Sequence, residues 1–94
     1  VSVVADRYGL EEAALRGPRR DQRTALARHV AMFLLREELH LSLADVGKTL
    51  GGWHHSSVIH GCRRIRLQTS EQTALREDLT VLRQRLDNPS LSPL

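Results

Sequence analysis

His54, His55, Ser56 and Ser57 make an unbroken run of side chains that can donate and accept hydrogen bonds. Val58, Ile59, Cys62 and Ile65 follow at helical spacing, so the polar run falls before and at the start of an amphipathic helix of about His55 to Leu67. On that helix Ser56, Ser57, His60, Arg63 and Arg64 share the side opposite the apolar stripe. Short polar groups at a helix start can meet base edges in a DNA major groove, and arginines further along can meet phosphate. The segment before fits that use. Leu43 to Leu50 reads as a short helix with Leu43, Val46 and Leu50 inward, and Gly51-Gly52 then breaks the chain. Residues 43–66 therefore have the pattern of a helix-turn-helix.

Other chemistries fit the same residues less well. Two histidines that ligate one metal from one helix face want i, i+4 spacing, whereas His55 and His60 are five apart with no carboxylate close by in sequence. Gly47-Lys48-Thr49 resembles the end of a phosphate-binding loop, but the first glycine of that motif would fall on Ser42. Cys62 lies on the apolar stripe, where a small thiol packs as a hydrophobe. No catalytic residue, metal or cofactor is expected, and His29 and His40 have no chemical role in this reading. Trp53 has two uses open to it: packing across the Gly-Gly turn, or stacking on the sugar-phosphate edge.

The elements that must position this segment are all helical. Aromatics are 3% of 94 residues, so Leu, Val, Ile and Ala build the core, which favours helices over a sheet. Val1 to Tyr8 has helical spacing ended by Gly9, and Glu11 to Leu15 allows one further turn. Residues 16–23, with Gly17, Pro18 and four arginines, read as an exposed basic loop. Thr24 is the expected N-cap of the longest helix, about Ala25 to Leu39, with Arg28, Arg36 and Glu37 on its wetter side. Ser42 is the expected cap of the next helix, with Asp45 completing a capping-box-like start. Ser70 is expected to cap a last helix over about residues 71–86, striped by Leu75, Leu79, Leu82 and Leu86. Residues 88–94 should fray. The expectation is one all-α domain over residues 1–94.

Charge supports a nucleic-acid partner. The net charge is +3, and because Lys48 is the sole lysine among fourteen basic residues, the other thirteen are arginines, whose planar fork suits phosphate and guanine. Arg16, Arg19, Arg20, Arg23, Arg28 and Arg36 crowd one region, with Asp21 the sole acid among them. Arg63, Arg64 and Arg66 form a second cluster. One cysteine excludes an intramolecular disulfide, and with no signal peptide or long apolar run the expected location is the cytoplasm. A start at Val1 reads as a fragment of a longer protein.

The segments ARHVAMFLLREEL and SLADVGKTLGGWHHSSVIHGCRRI resemble the C-terminal DNA-binding domain of the DnaA family, the bacterial chromosomal replication initiators. That family shows an AMYLxREL-like helix followed by LSLxxIGxxFGGRDHTTVxHAxxKI, and the likeness covers nearly the whole chain without a gap. The resemblance implies a small helical domain with a helix-turn-helix core that binds double-stranded DNA. It places Arg28 in the minor groove and His54, His55 and Ser56 on base edges. It places phosphate near the backbone of Leu43 and Ala44 and along Arg19 and Arg20; Lys48, Ser57, Arg63 and Arg64 are further phosphate candidates. The departures fall in the signature: His54 replaces Asp, Trp53 a basic residue, Ser56 and Ser57 two Thr, and Leu26 and Ala27 an Arg-Pro pair.

The function implied is origin-box recognition by an initiator. The alternatives are the same domain in a transcriptional regulator or mobile-element protein, or a protein-interaction module that has lost DNA readout and docks a partner on the Leu-striped terminal helix. Neither the recognised sequence nor any self-association follows from the residues.

Overall fold

The broad apolar surface over residues 24–35 becomes the central helix of the structure, a computed structural model that describes residues 1–18 and 21–87. In chain order the helices are α1 (Ser2–Arg7), α2 (Glu12–Arg16), α3 (Gln22–Glu37), α4 (Leu43–Thr49), α5 (His55–Glu71) and α6 (Thr73–Asp87), with no strand among the described residues. This is the all-α class expected. Val30, Ala31, Met32, Phe33, Leu34 and Leu35 are all buried, as suits a helix apolar nearly all round. α5 packs across α3, and Gly61 sits at the crossing, where a Cβ would come within 2.9 Å of His29 and Met32.

The core joins these helices through Val3, Leu15, Val46, Leu50, Val58, Ile65, Leu79 and Leu82, each at most 2% exposed. Full burial of one such side chain is worth about 1.5–3 kcal/mol. α6 closes the domain against α1: Arg7 donates to Asp78 at 2.8 Å, the Tyr8 hydroxyl reaches the same carboxylate at 3.2 Å, and Arg85 pairs with Asp6 at 3.1 Å. Burial, the Asp78 charge and that hydrogen bond push the Tyr8 hydroxyl's pKa well above its ordinary value. Leu75, Leu79 and Leu82 are buried by these contacts. The stripe that the alternative reading would use to dock a partner thus has Leu75, Leu79 and Leu82 in the domain's own core.

Several boundaries differ from expectation. Asp21, not Thr24, caps α3: its carboxylate accepts from the Thr24 amide at 3.1 Å and from the Thr24 hydroxyl at 2.9 Å. Thr24 is therefore a buried residue of the first turn, and the helix starts at Gln22. Arg16 belongs to α2 and Arg23 to α3, so the loop between those helices is shorter than the basic stretch 16–23. Ser70 does not start a helix. Its hydroxyl donates to Leu67 O at 2.7 Å while Thr69 donates to Ile65 O at 2.6 Å, and α5 runs on to Glu71 before Gln72 turns extended. Ser42 does cap α4, accepting from the Asp45 amide at 3.1 Å. The fraying expected of residues 88–94 lies outside the described residues.

Candidate nucleic-acid interface

The turn between α4 and α5 is built on close backbone approach. The amides of Gly52 and Trp53 both donate to Gly47 O, at 2.8 and 3.0 Å, so the chain folds back over the last turn of α4. A Cβ on Gly47 would lie 2.0 Å from the Trp53 carbonyl oxygen, which leaves room for glycine alone. Gly51 has φ +99°, and a Cβ there would meet the Arg16 carbonyl oxygen at 2.2 Å. Arg16 Nε donates to Thr49 O at 3.0 Å, so the C-terminal end of α4 is also tied to α2.

His54 stands at the front of α5 as its N-cap, with Nδ1 accepting from the Ser56 amide at 3.1 Å. The Ser56 hydroxyl lies 3.1 Å from the same nitrogen. The His54 and His55 rings stack at 4.1 Å between centroids. His54, His55 and Ser56 are exposed, and Ser57 is half-buried behind them. His60, Arg63 and Arg64 continue the exposed side of α5, while Val58, Cys62 and Ile65 are buried on the other. Burial pushes the Cys62 thiol's pKa above its ordinary value, in keeping with a packing role. Lys48 and Ala44 are exposed on α4, and Leu43 is half-buried at its start. The two helices of the motif, with the His54 cap, thus bring together nine of the twelve residues singled out as base or phosphate contacts, with Leu43 and Ser57 partly covered; Arg19 and Arg20 lie outside the described residues.

Arg28 departs most from expectation. It is 4% exposed and does not mark the wet side of α3. Its Nε donates to Leu15 O at 2.8 Å, and one terminal nitrogen donates to Gly17 O at 2.8 Å and Ala14 O at 3.3 Å. These carbonyls close the C-terminal end of α2, where a cation is favoured. The guanidinium also lies over the Trp53 ring, 4.6 Å from its centre. Trp53 is half-buried against the core, which is the packing use of that side chain. An arm reaching a minor groove would have to leave all of these partners.

The other described arginines of the first cluster, Arg16, Arg23 and Arg36, are also engaged. Arg23 donates to Tyr8 O at 2.8 Å and Arg36 to Leu41 O at 2.8 Å. In the second cluster Arg66 pairs with Glu37. Much of the basic composition thus serves to close helix ends, while Arg63 and Arg64 keep the exposed side of α5 positive.

One feature of the interface escaped the sequence reading. Arg28, His29, Met32, Trp53, Ser56, Ser57 and His60 line a groove of about 290 Å³ between α3 and the start of α5. The His29 and His60 rings meet edge to face at 6.2 Å. Burial, then the positive charge of Arg64, and then His60 and Arg28, hold His29 below the ordinary histidine pKa. The available signal was Gly61, whose lack of a side chain on a helix lets α3 come close.

A capped short helix, a glycine turn and an exposed polar start to the following helix define a helix-turn-helix domain. The profile described as "Bacterial dnaA protein helix-turn-helix" matches residues 1–65, and the chain belongs to this family. Among similar proteins, the chromosomal replication initiator protein DnaA of Herpetosiphon aurantiacus is 43% identical over 83 residues, 88% of this chain and 18% of the relative. The protein of the same name from Thermomicrobium roseum is 40% identical over 92 residues, 98% of this chain and 20% of the relative. That of Caulobacter vibrioides is 38% identical over 84 residues, 89% and 17% respectively. The chain therefore spans about a fifth of the length of the curated relatives it matches. No described helix is long and apolar enough to cross a membrane.

Proposed function

We propose that this domain binds double-stranded DNA with sequence preference, as the origin-box reader of a chromosomal replication initiator. The observation that carries the reading is the exposed run His54, His55 and Ser56 at the start of α5, continuous with Arg63 and Arg64 on the same helix. α5 enters the major groove with its first turn on base edges. Arg63, Arg64 and Lys48 meet phosphate, as do Ser57 and the backbone at Leu43 and Ala44. Arg19 and Arg20 join them on the sequence argument alone. Arg28 enters this reading as an anchor of the scaffold, because its guanidinium is held by three carbonyls and a ring.

The relatives' name supplies the initiator part of the proposal, and the departures at Trp53 and His54 favour a recognised sequence that differs from the family's usual box. The protein-docking alternative loses its surface, since Leu75, Leu79 and Leu82 are buried within the domain. The test is selection of bound duplexes from a random library, followed by titration of the winner over a range of salt. A steep fall of affinity with salt and a defined consensus are expected. Weak, salt-insensitive binding without enrichment would overturn the reading.

A further inference from the structure

We propose that His54 sets base preference at the front of α5 by acting as a hydrogen-bond donor through Nε2, selecting guanine and rejecting cytosine at the position it faces. The inference deepens the DNA-binding reading above and rests on it.

A backbone N–H can only donate, and the Ser56 amide lies 3.1 Å from His54 Nδ1, so Nδ1 is the acceptor and carries no proton. In a neutral imidazole the proton then resides on Nε2. The cap thus fixes the tautomer, and the nitrogen not used for capping is a donor. The residue is exposed, and its ring is stacked on His55 at 4.1 Å, which limits the directions the donor can take.

The contrast with a carboxylate at the same place is one of hydrogen-bond polarity. An Asp can cap with one oxygen and present the other, an acceptor, which suits the cytosine amino group. His54 caps equally well in kind but presents a donor. In the major groove guanine offers two acceptors, N7 and O6, with no donor beside them; cytosine offers the N4 amino group, which also donates and so cannot pair with Nε2–H. Adenine N7 and thymine O4 are single acceptors and rank between. The same scaffold with the opposite polarity at one atom therefore reads the opposite base of a G·C pair.

The experiment compares the native domain with His54→Asp and His54→Asn, all three able to cap α5. Each is subjected to duplex selection and titrated on duplexes that differ only at the pair facing residue 54. The native domain is expected to favour guanine over cytosine by roughly 5- to 150-fold, the span of one good base contact. His54→Asp is expected to reverse that preference while leaving the rest of the consensus in place. A 15N NMR spectrum of the native domain at neutral pH should show His54 protonated at Nε2 and not at Nδ1. Selective binding whose consensus is unchanged in His54→Asp, or an Nδ1-protonated His54, would overturn this inference and leave the DNA-binding reading standing. Absence of any selective binding would overturn both.

Discussion

The Arg28 guanidinium lies 4.6 Å from the centre of the Trp53 ring, so a cation on the central helix and an aromatic in the recognition turn form one unit. The pair links α2, α3 and the turn, because the same guanidinium closes the carbonyls of Ala14, Leu15 and Gly17.

Arg28→Ala should be strongly destabilising. It leaves three carbonyls without this donor, and each buried acceptor so orphaned costs about 1–3 kcal/mol. A loss of at least ~3 kcal/mol is expected in denaturant unfolding. Trp53→Ala should cost less, and a double-mutant cycle between the two positions should report a coupling of about 0.5–2 kcal/mol.

Gly47→Ala tests the turn. Its Cβ would stand 2.0 Å from the Trp53 carbonyl oxygen, so the recognition turn must open or α4 must move. Thermal unfolding should show a loss of about 3 kcal/mol or more, with overpacking as the cause. Stability equal to the native chain would mean that the turn is looser than described.

His40 is the sole non-glycine residue of positive φ among the described residues, at 56°, just past the end of α3. The left-handed conformation is costly for a residue with a Cβ. His40→Gly should therefore stabilise the domain by about 0.5–1 kcal/mol, net of the entropy glycine loses on folding. The change lies away from the front of α5, so DNA affinity should not move.

Acid should weaken the fold through His29. Its folded-state pKa lies below the unfolded value of about 6.5, so the unfolded chain binds more protons between the two. The contribution is fully present above about pH 6.5 and is lost as pH falls below it toward the folded-state pKa. Unfolding free energies measured between pH 5 and pH 8 should decline on the acid side, and His29→Gln should make that decline shallower. An identical pH profile in the variant would remove His29 from the account.

Much of the fold could be read from the sequence because it rests on local signals. Ser42 three residues before Asp45, the Gly51-Gly52 break and the apolar stripe of Val58, Cys62 and Ile65 each encode their own geometry within one or two turns. Where two local signals compete, the sequence is silent. Asp21 and Thr24 are both good caps, and Asp21 wins because Thr24 then buries its hydroxyl on the same carboxylate. Ser70 has the type of a cap but turns its hydroxyl back to Leu67 O, and α5 continues. Arg28 was the hardest to read. Its partners lie 11 to 14 residues upstream, in α2 and at its Gly17 cap, and across the turn at Trp53, beyond any periodicity. The face of the candidate site was legible from residue type and spacing, but the cap that fixes the His54 tautomer needed the position of the Ser56 amide.

The most direct test of the account is to follow backbone amide NMR signals of the domain while the selected duplex is added, repeated with Arg63→Ala/Arg64→Ala. The account predicts shifts concentrated at residues 53–57 and 63–64. It also predicts weaker binding by the double variant, with a salt slope shallower by about 2, from the loss of two phosphate contacts. Shifts centred on α6, with binding unaffected by the two substitutions, would contradict a recognition helix at α5.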